Sequence, residues 1–275
     1  MSRLDQALVG RGLARSRTHA ARLIAEGKVS SAGEVLAKAS LQVHDHTVLD
    51  VAAADEDNYV SRAGHKLAGA LDAFPAVSAA GKRCLDAGAS TGGFTEVLLR
   101  RGAAHVVAVD VGHDQLVPVI RNDSRVSVHE GLNVRYMTSA EIGGPAALTV
   151  ADLSFISLTL VLAPLAACTL PGGDLVLMVK PQFEIGKDRL GRTGVVTSER
   201  ERRLAVGKVA AEAMDTGLEL KGLASSPLPG QDGNVEYFLW IKRGIRTDLP
   251  KIEERDAAVA GLLRTIWPTT LWPND

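Results

Sequence analysis

The strongest constraint on how this chain can fold is a change of rhythm near residue 59. From there, short uninterrupted apolar runs alternate with stretches of helical periodicity. Residues 83–86, 104–109, 125–130, 147–152 and 174–179 are strand-length runs. Helical patterns lie between them, at 94–99 through Phe94, Val97, Leu98 and Leu99, and at 156–168. A longer helix, capped at Thr197 or Ser198, is predicted to reach about residue 216, followed by strands at 218–224 and 235–242. Strands that are apolar on both faces must be covered on both faces, which predicts an α/β domain with a mostly parallel seven-stranded sheet.

The first 52 residues read differently. Leu4, Ala7 and Leu8 mark a short helix that stops at 10–12, and Ser16 is the expected N-cap of a second through Ala20, Leu23 and Ile24, ended by Gly27. A hairpin at 28–36 around Ser31-Ala32-Gly33 and a strand within 47–51 complete a small α+β module. Residues 53–59, acidic and without periodicity, read as a linker. The main domain is expected over 60–246, and a tail over 247–275 is expected as a docked helix.

Composition narrows the function. A hydrophobic share of 46% with 23% charged residues is that of a globular protein, and a net charge of -1 excludes a bulk polycation, so any nucleic-acid surface must be a local patch. Aromatic residues at 4% argue against a single-strand stacking platform. Cys84 and Cys168 lie in apolar runs, and two buried thiols fit a reducing cytosol. No secretory apolar stretch opens the chain, and the longest apolar run, 158–170, is broken by Pro164 and falls short of the about 20 residues needed to span a bilayer. A cytoplasmic protein is expected, without stable membrane association and without a metal.

In parallel sheets chemistry collects at the carboxyl ends of the strands. The first strand is followed by Asp86-Ala87-Gly88-Ala89-Ser90-Thr91-Gly92-Gly93-Phe94. A dinucleotide turn needs a different glycine spacing. A hydrolase elbow matches the string 88–92 but needs a late histidine, and the last one here is His129. A site for S-adenosylmethionine remains, with Asp86 for the ammonium and the glycine backbone for the carboxylate, against the bland alternative of a tight turn. Asp110, with Val111 beside it, closes the second strand and suits a ribose diol. Glu130 and Asn133 follow the third and are candidates for an adenine pocket, or for solvated loop. Asp152 ends the fourth strand and Lys180 the fifth, Glu236 opens the last, and Lys66 lies on the helix before the first. Singly each is an ordinary surface charge; four at one rim form a candidate catalytic group. In the first module Arg3, Arg11, Arg15, Arg17 and Lys28 belong to a modest basic surplus that can grip phosphates, or simply solvate a helix face.

These residues resemble a known family. The run from Arg3 to Val29, R-L-D…A-R-S-R-x-x-A-x-x-L-I-x-x-G-K-V, looks like the RNA-binding module of ribosomal protein S4 and of pseudouridine synthases. The remainder resembles the FtsJ-like methyltransferases, a Rossmann-like class, and the whole chain is similar to the TlyA (haemolysin A) family. The carriers are V-S-R-A-G-H-K-L (60–67), D-A-G-A-S-T-G-G-F (86–94), A-D-L-S-F-I-S-L (151–158), V-K-P-Q-F-E (179–184) and S-P-L-P-G-x-x-G-N-V-E-Y-F (226–238). Two departures stand out: Ala63-Gly64 inverts the family's small pair, and Asp57-Asn58-Tyr59-Val60 stands where relatives can have Arg-Ala-Trp-Val.

The resemblance implies methylation of cytidine 2′-hydroxyls in ribosomal RNA, within the small subunit, the large subunit or both, with S-adenosylmethionine as donor. Its Lys-Asp-Lys-Glu tetrad maps onto Lys66, Asp152, Lys180 and Glu236. Lys180 is then expected to orient or deprotonate the hydroxyl, with Asp152 and Glu236 holding it and Lys66 countering negative charge. Arg62 joins the expected RNA contacts. The rivals are methylation of a base nitrogen, a membrane-active haemolysin, and an RNA-binding assembly factor with an inactive site.

Overall fold

In the computed structural model the described residues are 1–14, 17–51, 59–186, 190–244 and 249–268, apart from the side chain of Arg22. The chain divides into two compact units, Met1–Asn58 and Tyr59–Asp275. Residues 53–58 of the expected linker, together with Arg15 and Ser16, lie outside the described residues, while Tyr59 belongs to the second unit.

The first unit contains β1 (Ser2–Arg3), α1 (Leu4–Gly10), α2 (Arg17–Ala25), β2 (Val29–Ser31), β3 (Glu34–Val35), β4 (Gln42–Val43) and β5 (Asp50–Val51). Strands β3, β2 and β5 form one antiparallel sheet, and β1 pairs with β4, a pairing too short to show periodicity in the sequence. Leu4 and Leu8 of α1, Leu23 and Ile24 of α2 and Val29 fill its core.

The second unit begins with α3 (Arg62–Ala73), then β6 (Arg83–Ala87), α4 (Gly93–Arg100), β7 (His105–Asp110), α5 (Pro118–Arg121), β8 (Val126–Glu130) and β9 (Ala146–Ala151). A 3-10 turn (Leu158–Leu160) and α6 (Leu162–Ala167) lead to β10 (Thr169–Val179) and α7 (Pro181–Glu184). The chain ends with α8 (Glu199–Asp215), β11 (Leu218–Ser225), β12 (Tyr237–Arg243) and α9 (Ile252–Arg264). The sheet order is β11-β12-β10-β9-β6-β7-β8, with β12 antiparallel to both its neighbours and the other pairs parallel. Side-chain alternation sends Cys84, Val106, Val176 and Met178 to the face covered by α3 and α4, and Leu85, Val107, Leu175 and Leu177 to the face covered by α6, α8 and α9. In the tail, Val259, Leu262 and Leu263 of α9 enter the second of these cores, and Trp267 packs on Tyr237 at 5.2 Å.

Two expectations need correction. The single helix expected over 156–168 is a 3-10 turn followed by the six-residue α6. Pro164 has no N–H to give and clashes with a preceding carbonyl, so it is accommodated in the first turn of a restarted helix. The last strand begins at Tyr237, so Glu236 precedes it rather than opening it. The chain runs outward from β6 to β7 and β8, then returns to β9 on the other side of β6. That reversal opens a crevice at the carboxyl ends of β6 and β9, where such sheets bind their ligands.

Candidate active site

Two adjoining cavities lie at this crevice. The larger, about 520 Å³, is lined by Gly88, Ser90, Asp110, Val111, Asn133 and Asp152, with Leu132, Val134, Leu153 and Val161 supplying apolar wall. The smaller, about 150 Å³, shares Gly88, Ser90, Asp152 and Ser154 with it and adds Thr91, Gly93, Phe94, Ser61 and Lys180.

The glycine turn is built by close approach. Gly88 has φ +86°, and a Cβ there would stand 2.5 Å from the Asp152 carbonyl oxygen, so no other residue fits. Gly92 has φ +97° and caps α4, outside the lining of both cavities. Asp110 organises the rim, since its carboxylate accepts from the N–H of Ser90 at 2.8 Å and of Gly112 at 2.7 Å.

Besides Gly92, two residues expected at the cofactor stand back from both cavities, Asp86 beneath them and Glu130 at a small recess that it shares with Ser90 and Asp110. Asp86 is fully buried and lines neither cavity; one of its oxygens accepts from the Thr95 hydroxyl at 2.7 Å and the other has no hydrogen-bond partner among the described residues. Burial pushes its carboxyl up to about 7, against a hydrogen bond from Thr95 that lowers it, so it stands under the turn and offers no surface to an ammonium. Glu130 accepts from the Asp114 N–H at 3.0 Å and is paired with Arg121. It braces the loop after β7 and is absent from the lining of the larger cavity.

The four charges come to this end of the sheet as two ion pairs. Lys180 Nζ is 2.6 Å from Asp152 Oδ1 and donates to Ser154 Oγ at 2.9 Å. Lys66 Nζ donates to Glu236 at 2.5 Å, and these two are only 8% and 2% exposed. Val179 of β10 faces Tyr237 of β12, which sets Lys180 and Glu236 opposite one another just past the paired strands. Lys66 lies one turn along α3 from Ala63, which lines the smaller cavity. The expectation that Glu236 holds Lys180 is corrected: the Glu236 carboxylate receives Lys66, because α3 brings that amine over the strand end.

Several site residues escaped the sequence reading. Gln115 lines the larger cavity with its amide oxygen 3.4 Å from Ser90 Oγ. Ser154 and Phe155 sit inside a recognisable string, but nothing in it announces the Lys180 contact or the left-handed φ of +63° at Phe155. Phe155 is 92% exposed at the cavity rim, with the Phe183 ring 5.4 Å away.

In the first unit Arg3, Arg11, Arg17 and Lys28 have internal partners. Asp5, 4% exposed, receives Arg3 at 3.0 Å and Arg17 at 2.9 Å, and the hydrogen bond from Arg3 helps hold its carboxyl down to about 2. Arg11 donates to the carbonyls of Thr47 and His44. Lys28 pairs with Glu26 at 3.2 Å. Exposed Arg62 donates to the Pro229 carbonyl at 3.5 Å. Among the described residues no helix is long and apolar enough to cross a membrane, and no group of three or more His, Cys, Asp or Glu is placed to hold a metal.

A mostly parallel sheet with a glycine turn, an acid closing the next strand and a charged cluster across the crevice defines a Rossmann-like methyltransferase. Family models agree: an FtsJ-like methyltransferase model matches residues 59–243, and an S4 domain model matches 2–49. The 16S/23S rRNA (cytidine-2′-O)-methyltransferase TlyA of Mycobacterium tuberculosis is 54% identical over 241 residues, 88% of this chain and 90% of that protein. A Bacillus subtilis protein carrying an rRNA methyltransferase name, YqxC, is 42% identical over 87% of this chain and 85% of its own. A solved structure from Streptococcus thermophilus that carries a hemolysin name superposes with a TM-score of 0.69 at 36% identity, over 97% of both chains. The chain belongs to the TlyA (haemolysin A) family of FtsJ-like methyltransferases.

Proposed function

We propose that this chain transfers a methyl group from S-adenosylmethionine to the 2′-hydroxyl of cytidines in ribosomal RNA, in the small subunit, the large subunit or both. The observation that carries the reading is the meeting of Lys180, Asp152 and Ser154 where the two cavities join, with the Lys66–Glu236 pair behind them.

The larger cavity fits the donor. Its volume of about 520 Å³ admits a nucleoside-sized ligand, and Leu132, Val134 and Val161 offer an apolar wall for a base beside Asn133. Asp110 is held by two backbone N–H groups and its carboxylate can accept from a ribose diol. The turn at Gly88, Ser90, Thr91 and Gly93 presents backbone to an amino-acid carboxylate. S-adenosylmethionine, once bound, supplies a methyl group already activated by its sulfonium, so the protein must place the acceptor in line and take its proton. Lys180 orients the 2′-hydroxyl, with Asp152 and Ser154 fixing its Nζ; in its uncharged form, after its extra proton has passed to solvent, Nζ accepts the hydroxyl proton as the acceptor oxygen bonds the methyl carbon and the sulfur–methyl bond breaks. Lys66, fixed by Glu236, counters charge developing on the acceptor or on the adjoining phosphate.

The amino-terminal unit and Arg62 hold the RNA by phosphate contacts. Arg3 and Arg17 are 41% and 60% exposed even while bonded to Asp5, which leaves donors for phosphate oxygens. Substrate within ribosomal subunits places the reaction in the cytoplasm.

Labelled methyl transfer to purified ribosomal subunits, followed by digestion to nucleosides, tests the reading. A label on ribose supports it; a label on a base nitrogen moves the reaction to the base, and cofactor binding without turnover makes the chain an assembly factor. Liposome lysis by a Lys180→Ala variant would restore the membrane-active alternative.

A further inference from the structure

The string Val179-Lys180-Pro181-Gln182-Phe183-Glu184 holds one acidic residue, Glu184, which lines neither cavity. Glu184 ends α7, four residues past Lys180, and is only 4% exposed. Its Oε2 accepts from the Ser157 hydroxyl at 2.5 Å and its Oε1 from the Leu158 N–H at 2.8 Å. Ser157 and Leu158 close the loop that begins with Asp152 and Ser154, the two partners of Lys180.

One carboxylate therefore bridges the segments carrying the two halves of the Lys180–Asp152 pair. The same segments meet again on the solvent side, where the Phe155 and Phe183 rings lie 5.4 Å apart. Lys208 of α8 donates to the Glu184 carbonyl at 3.1 Å, which ties α7 to a long helix rather than leaving it a free turn. Phe155 keeps φ at +63°, a conformation costly for a bulky residue that persists only where its surroundings over-determine it. Hydrogen bonds to a buried carboxylate are among the stronger ones available for that purpose.

We infer that Glu184 is a positioning residue for methyl transfer: it clips the 152–158 loop to the end of β10 and so sets the geometry of Asp152, Ser154 and Lys180. The inference rests on the reading of that trio as the transfer site.

The experiment compares Glu184→Ala and Glu184→Gln in the full chain. With saturating S-adenosylmethionine and purified ribosomal subunits, kcat of a folded Ala variant is expected to fall about tenfold to a hundredfold, the scale of an ångström-sized misplacement. Cofactor Kd is expected to change by less than about threefold, and Gln to restore kcat to within about threefold, because its amide can accept from Leu158 and donate to Ser157. Hydrogen exchange of the amides at 154–158 should quicken in Ala and recover in Gln. A folded Ala variant with unchanged kcat, or with unchanged exchange at these amides, overturns the clip, as does a loss that Gln does not rescue. Should Ala fail to fold, Ser157→Ala removes one strand of the clip and is expected to lower kcat about threefold to tenfold; an unchanged rate there overturns it equally. The exchange measurement needs no turnover, so an inactive unaltered chain would count against the functional reading and not against the clip.

Discussion

At the ends of β6, β7 and β8 the mouth of the sheet is shaped by backbone; at the ends of β9 and β10 and just before β12 it is shaped by charge. On the first side Gly88 passes within a Cβ's reach of the Asp152 carbonyl, and Asp110 is gripped by main-chain N–H groups. On the second, Asp152, Lys180, Lys66 and Glu236 stand in place by pairing with one another. Rigid backbone suits a donor whose nucleoside and amino-acid parts keep the same shape before and after its methyl is transferred. Paired charges suit a step in which a proton moves and negative charge appears. Substitutions on the two sides should therefore fail in different ways, affinity on one and turnover on the other.

The largest expected effect is on the charged side. Lys180→Ala should cut methyl transfer by about 10²- to 10⁴-fold in single-turnover assays. Calorimetry should find cofactor affinity nearly intact, and a comparable loss of affinity would erase the division. Next is Gly88→Ala, where an added Cβ meets backbone in a left-handed conformation. Strain of about 1–3 kcal/mol should weaken S-adenosylmethionine binding by about tenfold to a hundredfold while saturated turnover changes less. Asp110→Asn, which loses the charge on those hydrogen bonds, should weaken binding by about tenfold with kcat kept, read from the KM-against-kcat split.

The smallest effect concerns Asp86, which lies beneath the backbone side. Burial, with the charges of Asp152 and Asp110 adding to it and the Thr95 hydrogen bond opposing it, raises the carboxyl from 3.8 to about 7. The folded state thus holds this proton more tightly than the unfolded chain does. The resulting stability is fully present below about pH 3.8 and is lost as pH rises through about 7. Across pH 6 to 8, Asp86→Asn should flatten the fall of Tm by a few degrees, on the order expected for about 1–2 kcal/mol in a domain of this size. An unchanged slope would mean that Asp86 already ionises freely, contrary to its sealed position.

Much of this division was legible along the chain. Strand-length apolar runs placed Asp110, Asp152 and Lys180 at or just beyond strand ends, and the glycine string announced a turn that needs left-handed backbone at Gly88 and Gly92. The misreadings share a cause. Asp86 was judged by residue type and position, as was the partner of Glu236, yet both depend on what lies across from them: the Thr95 hydroxyl for Asp86 and Lys66 for Glu236. Phe155 escaped because nothing in a phenylalanine's identity signals a left-handed φ, whereas a glycine advertises such a conformation in its own identity.

By itself the sequence determined the main order of strands and helices in the second unit, the glycine turn after β6 and the identities of the four charges, because periodicity and glycine act locally. Only the tertiary structure decided the pairing. Lys66 meets Glu236 across 170 residues, and Asp152 meets Lys180, because strand register and the docking of α3 choose partners among groups of equal charge. Coulomb attraction has no memory of chain position; it acts on distance, and distance is set by the fold.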